Sequence, residues 1–213
     1  VVGRQGIAAL NGTNQMTVEH TSVRRCGQYG LVVGDNTSGP PWTEGGQHIV
    51  WRHNLIDMTG IPAGTCTGTL AMEYFPRGPV GYLATPGPLI EGNTVLAAGA
   101  DGGIKMSNAR GGKIVNNTVH GGKCATATGA IHTTASRETV IATNTIYDTH
   151  IGITFGGLPR ANATGGNETR TEMLTILGNA IETFSASGIF SSDGAMDVTI
   201  GDNILRLAGG LAG

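Results

Sequence analysis

Two short stretches of the chain, Gly103-Ile104-Lys105 and Ala130-Ile131-His132, each place a basic side chain directly after an isoleucine. Six residues beyond each isoleucine stands an arginine, Arg110 in the first case and Arg137 in the second. That set suits proton abstraction beside a carboxylate. Arg110 or Arg137 would neutralise the carboxylate of an acidic sugar and so acidify its C5 proton, which Lys105 or His132 would take as general base. Neighbouring cations depress one another's pKa, and this favours a neutral base near pH 7. Glu73 adds a carboxylate from an earlier stretch, expected opposite Ser107. Hydrolysis of a glycosidic bond would instead need two carboxylates facing one groove, and Glu73, Asp101 and Asp193 do not occupy equivalent places. The competing interpretation makes Lys105, His132, Arg110 and Arg137 ordinary solvated side chains of an exposed strand.

These residues can meet only if the chain repeats, and it does. A short apolar stretch, an asparagine and an aliphatic residue two positions later recur at Asn54, Asn93, Asn117, Asn144, Asn179 and Asn203, with Thr21 in the asparagine position of a weaker copy. From Thr21 the spacings are 33, 39, 24, 27, 35 and 24 residues, the shortest being near the minimum for one three-strand turn of a solenoid. A second phrase, usually glycine and then an aliphatic residue, falls between them: Gly6-Ile7, Gly30-Leu31, Thr69-Leu70, Gly103-Ile104, Ala130-Ile131, Gly152-Ile153, Gly188-Ile189 and Gly210-Leu211. Each coil therefore has a first-sheet strand at this phrase, a second-sheet strand before the asparagine and a third-sheet strand after it. Period-two alternation sends Ile104, Ile131, Ile153 and Ile189 inward as one stack and Ile114, Ile141, Ile176 and Ile200 inward as another. Lys105 and His132 then point outward from adjacent coils, with backbones about 4.8 Å apart. The repeated asparagine is architectural, bonding to the backbone and to the asparagine of the next coil at a buried bend.

On these phrases the chain resembles the right-handed parallel β-helix repeat of pectate lyases, polygalacturonases, alginate lyases and epimerases, and phage tailspikes. The resemblance covers nearly the whole chain and implies an all-β solenoid of about six complete coils. It also implies an extracellular protein acting on or binding an acidic polysaccharide, with lyase or epimerase chemistry favoured over hydrolysis. The alternative is a non-catalytic module of a surface fibre, adhesin or phage tail. The polygalacturonase Asp-Asp pair and Gly-His-Gly are missing, as is the acidic calcium cluster of pectate lyases, so calcium is implied by the resemblance alone. Gly103-Ile104-Lys105-Met106-Ser107-Asn108 is loosely similar to the Ser-Asn-Lys strand of alginate lyases, with Thr134 where their arginine is expected.

The longer insertions, 34–47, 75–87 and 157–172 on one side and 59–67 and 121–128 on the other, would wall the first sheet into a groove fit for a polymer. Trp42 and Tyr82 in these loops, Phe190 on the sheet, and Arg77 and Arg160 are the expected sugar contacts. Cys26 and Cys66 both precede first-sheet strands on consecutive coils, which brings them within reach of a disulfide; buried or free thiols are the equal alternative, and Cys124 is expected unpaired. The histidines His20, His48, His53, His120 and His150 are read as scattered over different corners, without a metal site. With 36 glycines in 213 residues, about 17% against a usual ~7%, turns are expected to use glycine repeatedly. A net charge of −2 offers no basic field for nucleic acid, and no apolar run approaches the ~18 residues of a membrane span. One domain, 1–213, is expected, as a segment of a longer chain whose open coils continue, stack end to end or assemble as a trimer.

Overall fold

Each coil contributes three strands of three to six residues, too short to be stable alone, and each finds its backbone partners in the coils before and after it. The computed structural model describes residues 5–10, 13, 15–34, 48–59, 70–75, 87–97, 102–107, 109–121, 129–156, 171–192 and 194–207. Three parallel sheets of seven strands each run through them. The first sheet holds Gln5–Leu10, Tyr29–Gly34, Leu70–Phe75, Gly102–Ser107, Ile131–Thr134, Ile151–Gly156 and Ser187–Ser191. Thr17–Glu19 opens the second sheet and Ser22–Arg24 the third, so the coil around Thr21 is complete and seven coils stand where about six were expected. This is a parallel β-helix.

The interior is a set of stacked apolar columns, aliphatic apart from Trp51. Leu31, Met72, Ile104, Ile131 and Ile153 form the first, Trp51, Ile90, Ile114, Ile141 and Ile176 the second, and Ile56, Val95, Val119, Ile146 and Ile181 the third, all fully buried. At roughly 1.5–3 kcal/mol for each fully buried side chain, these columns are the main stabilising force of the solenoid.

All six expected asparagines form the ladder. The Asn144 amide nitrogen donates to the Ile114 carbonyl and to Asn179 Oδ1, both at 2.9 Å, while its Oδ1 accepts from the Asn117 backbone N–H at 2.9 Å. Thr21 continues the row by donating its N–H to Asn54 Oδ1 at 3.0 Å. The residue before each ladder position is left-handed, with φ between 52° and 63° at His20, His53, Gly92, Asn116, Thr143, Gly178 and Asp202. Only two of these seven are glycine, so glycine is not what makes this corner.

Glycine is also used in the strand phrase itself. A Cβ at Gly6 would fall 2.5 Å from the Gly30 carbonyl oxygen, and one at Gly152 would fall 2.4 Å from that of Gly188. Backbone meets backbone there, and no side chain fits. Glycine does serve bends as expected, with left-handed φ at Gly92, Gly111 and Gly178, and the strand phrase is a second use beside it.

Candidate functional site

The first sheet's outward positions align residue for residue. Register joins Val32 to Glu73, Glu73 to Lys105, Lys105 to His132, His132 to Thr154 and Thr154 to Phe190, one residue per coil. Lys105 and His132 are thus neighbours, as their spacing implied. Glu73 sits opposite Lys105 and not, as expected, level with Ser107. The inward residue of its coil is Met72, aligned with Ile104, whereas Leu70 pairs with Gly102; the phrase Thr69-Leu70 lies two residues before the true counterpart of Ile104.

Lys105 Nζ lies 3.0 Å from Glu73 Oε1, with the lysine side chain 29% exposed and the carboxylate 6%. A buried carboxylate facing an ammonium that still reaches solvent holds that ammonium in place at the surface. His132, on the other side of Lys105, is half-buried. Burial, and then the Lys105 charge, pull its pKa down to about 4, so its imidazole is neutral at pH 7. Two residues further along the strands, Ser107 Oγ and Thr134 Oγ1 share a hydrogen bond at 2.8 Å. Three members of this outward column are enclosed, Val32, Glu73 and Thr154 being at most 4% exposed, while Phe190 is 40% exposed.

Arg110 and Arg137 stand in one column, joined by a parallel bridge, and Arg137 bridges onward to Glu172. Each guanidinium is met by a carboxylate of the following coil. Arg110 Nη2 reaches Glu138 Oε1 at 3.0 Å, and Arg137 Nε reaches Glu172 Oε2 at 2.9 Å. The three cations of the constellation, Lys105, Arg110 and Arg137, are matched by three carboxylates. Both arginines are thus ion-paired across a coil boundary, pairings that the sequence did not show because the partner glutamates come from the next turn.

Enclosed polar atoms without a hydrogen-bond partner occur on both faces of the first sheet. Among the described residues they are Glu73 Oε2, His132 Nδ1, Thr133 Oγ1, Thr154 Oγ1 and Trp51 Nε1; the first four lie on first-sheet strands, with the Lys105 strand between that of Glu73 and that of His132 and Thr133. Such atoms are uncommon in folded proteins and mark places where water or a bound group completes the structure.

Trp42, Tyr82, Arg77, Arg160 and Cys66, and most of the loops expected to wall the groove, lie outside the described residues. Cys26 is buried, its Sγ 3.9 Å from the Arg24 carbonyl, and burial pushes its thiol pKa up. The histidines are less scattered than expected. His20 and His53 share a column and stack with ring centroids 5.4 Å apart; both directly precede a ladder position, the signal that could have paired them. His120 stacks on Tyr147 at 4.5 Å and meets Asp148 Oδ2 at 3.2 Å. Among the described residues no three His, Cys, Asp or Glu side chains converge on a point that could hold a metal ion, and no helix is long and apolar enough to cross a membrane.

No curated protein and no solved structure matches the chain. A family model for the right-handed β-helix region matches residues 81–211, more than half of the sequence. That span holds four of the seven first-sheet strands, the Lys105–His132 pair and five of the six ladder asparagines. With three parallel sheets closing around one aliphatic core, the chain belongs to the right-handed β-helix family.

Proposed function

We propose that this is an extracellular carbohydrate-active β-helix that binds an acidic polysaccharide on the outward face of its first sheet and cleaves it by β-elimination. The observation that supports this is the pairing, on adjacent coils, of a neutral imidazole at His132 with an ammonium at Lys105 held by buried Glu73. Lys105 meets the uronate carboxylate, and His132 takes the C5 proton. The C4–O bond then breaks and a C4=C5 double bond forms. The imidazolium produced at His132 then returns the proton to the departing oxygen. Arg110 and Arg137, engaged by Glu138 and Glu172, are assigned to holding the coils and not to the substrate.

Incubating the full chain with alginate, pectin and glycosaminoglycans while following absorbance of the unsaturated product tests this. Product is expected from at least one polymer, with His132→Ala and Lys105→Ala each lowering kcat by 10²-fold or more. No product from any polymer, or full activity in both variants, would remove the lyase assignment.

The matching of Lys105, Arg110 and Arg137 by three carboxylates favours a second reading, a non-catalytic binding or spacer module of a surface fibre or tail. Retention of a polymer on the column without turnover is its signature.

A further inference from the structure

The second sheet differs from the third in what it shows to the outside. Each of its strands places one inward residue between two outward ones, and register aligns the outward residues in two columns. In the five coils from Val50–Arg52 to Thr175–Leu177, six of these ten outward positions are apolar: Val50, Leu89, Val115, Val140, Ala142 and Leu177. The matching third-sheet positions hold three, Leu55, Leu96 and Ala180. None of the six is enclosed, in contrast to Val32 and Thr154 on the first sheet. Strands covered on both sides read as continuous apolar runs, and Val140-Ile141-Ala142 is such a run.

Two charges stand in this band, exposed Lys113 and half-buried Glu91. Lys113 pairs in register with Leu89 and Glu91 with Val115, so they are diagonal neighbours in opposite columns. Among the described residues neither is ion-paired. Arg52, the register neighbour of Glu91, is turned to Glu19 at 2.6 Å, and Lys105, Arg110, Arg137 and Arg206 each meet a carboxylate elsewhere.

We propose that two copies of the chain pair through this face, second sheet against second sheet, about a two-fold axis parallel to the solenoid. A two-fold face must be complementary to itself, and this one carries an unpaired cation in one column and an unpaired anion in the other. The axis sets each column opposite the partner's other column, so Lys113 comes within one coil of the partner subunit's Glu91, about 4.8 Å along the solenoid, and the contact is made twice. The apolar band covers itself, and the charges fix the register. The first sheets take no part, so this pairing stands or falls apart from the lyase reading.

The test is sedimentation of the full chain over a concentration series, as wild type, Ala142→Arg, Lys113→Glu, Glu91→Lys and the double exchange Lys113→Glu with Glu91→Lys. The wild type is expected to dimerise. Ala142→Arg and each single reversal should raise the dimer Kd by about tenfold or more, and the double exchange should return most of that loss. A wild type that stays monomeric at every concentration, its second sheet left for some other partner, overturns the proposal. So does a dimer that survives Ala142→Arg unchanged, or a double exchange that associates no better than the single reversals.

Discussion

His132 carries a cost that pH exposes. Its folded pKa of about 4 lies below the ordinary histidine value of 6.5, so between those limits the unfolded chain takes a proton that the folded chain refuses. The stabilisation is complete above pH 6.5 and drains away as pH falls toward 4, by roughly 3 kcal/mol in all. Denaturant titrations at pH 7.5 and pH 4.5 should show this loss, and His132→Gln should flatten the part of the profile due to this residue. The same residue shows what could be read beforehand. Its adjacency to Lys105 followed from two matching phrases, Gly103-Ile104 and Ala130-Ile131. The Glu73 contact did not, because Met72 replaces the expected aliphatic and no glycine precedes it. Nor did the arginine pairs: Glu138 and Glu172 follow their partners by 28 and 35 residues, and unequal loops hide that equivalence.

Among the elements, the corner between the second and third sheets is the most constrained. A ladder asparagine in the middle of the row serves both neighbours: Asn144 Oδ1 accepts from the Asn117 N–H and amide, and its own amide satisfies the Ile114 carbonyl. Removing it strands several buried groups, each worth ~1–3 kcal/mol. Asn144→Ala should therefore destabilise by about 3–5 kcal/mol, and Asn203→Ala, at the half-buried end of the row, by clearly less; chemical denaturation of the two variants side by side decides it. The asparagines were legible because a polar residue at a fixed place in an apolar phrase stands out. The left-handed residue before each one was not, since histidine, threonine, asparagine and aspartate occupy it as well as glycine. Such positions are chosen by the backbone, and the side chain only tolerates them.

Across the whole molecule, the strands of each described coil pair with those of the coils before and after it, and stacked apolar side chains and ion pairs such as Arg52–Glu19 and Arg206–Glu182 join the same neighbours. Stability in such a solenoid is close to a sum over coils and their contacts, which is why the fold could be read from a repeat while the chemistry of its surface depended on a register that the loops disguise. The coils are also unequal: successive ladder positions are 33, 39, 24, 27, 35 and 24 residues apart. Stretched between its ends in an optical trap, the molecule should give way one coil at a time, each step releasing about 3.4 Å for every residue freed. Steps of one uniform size would contradict this. The ladder thus grades the chain like a ruler with uneven divisions, and the order in which long and short steps appear under tension would reveal from which end the solenoid unravels.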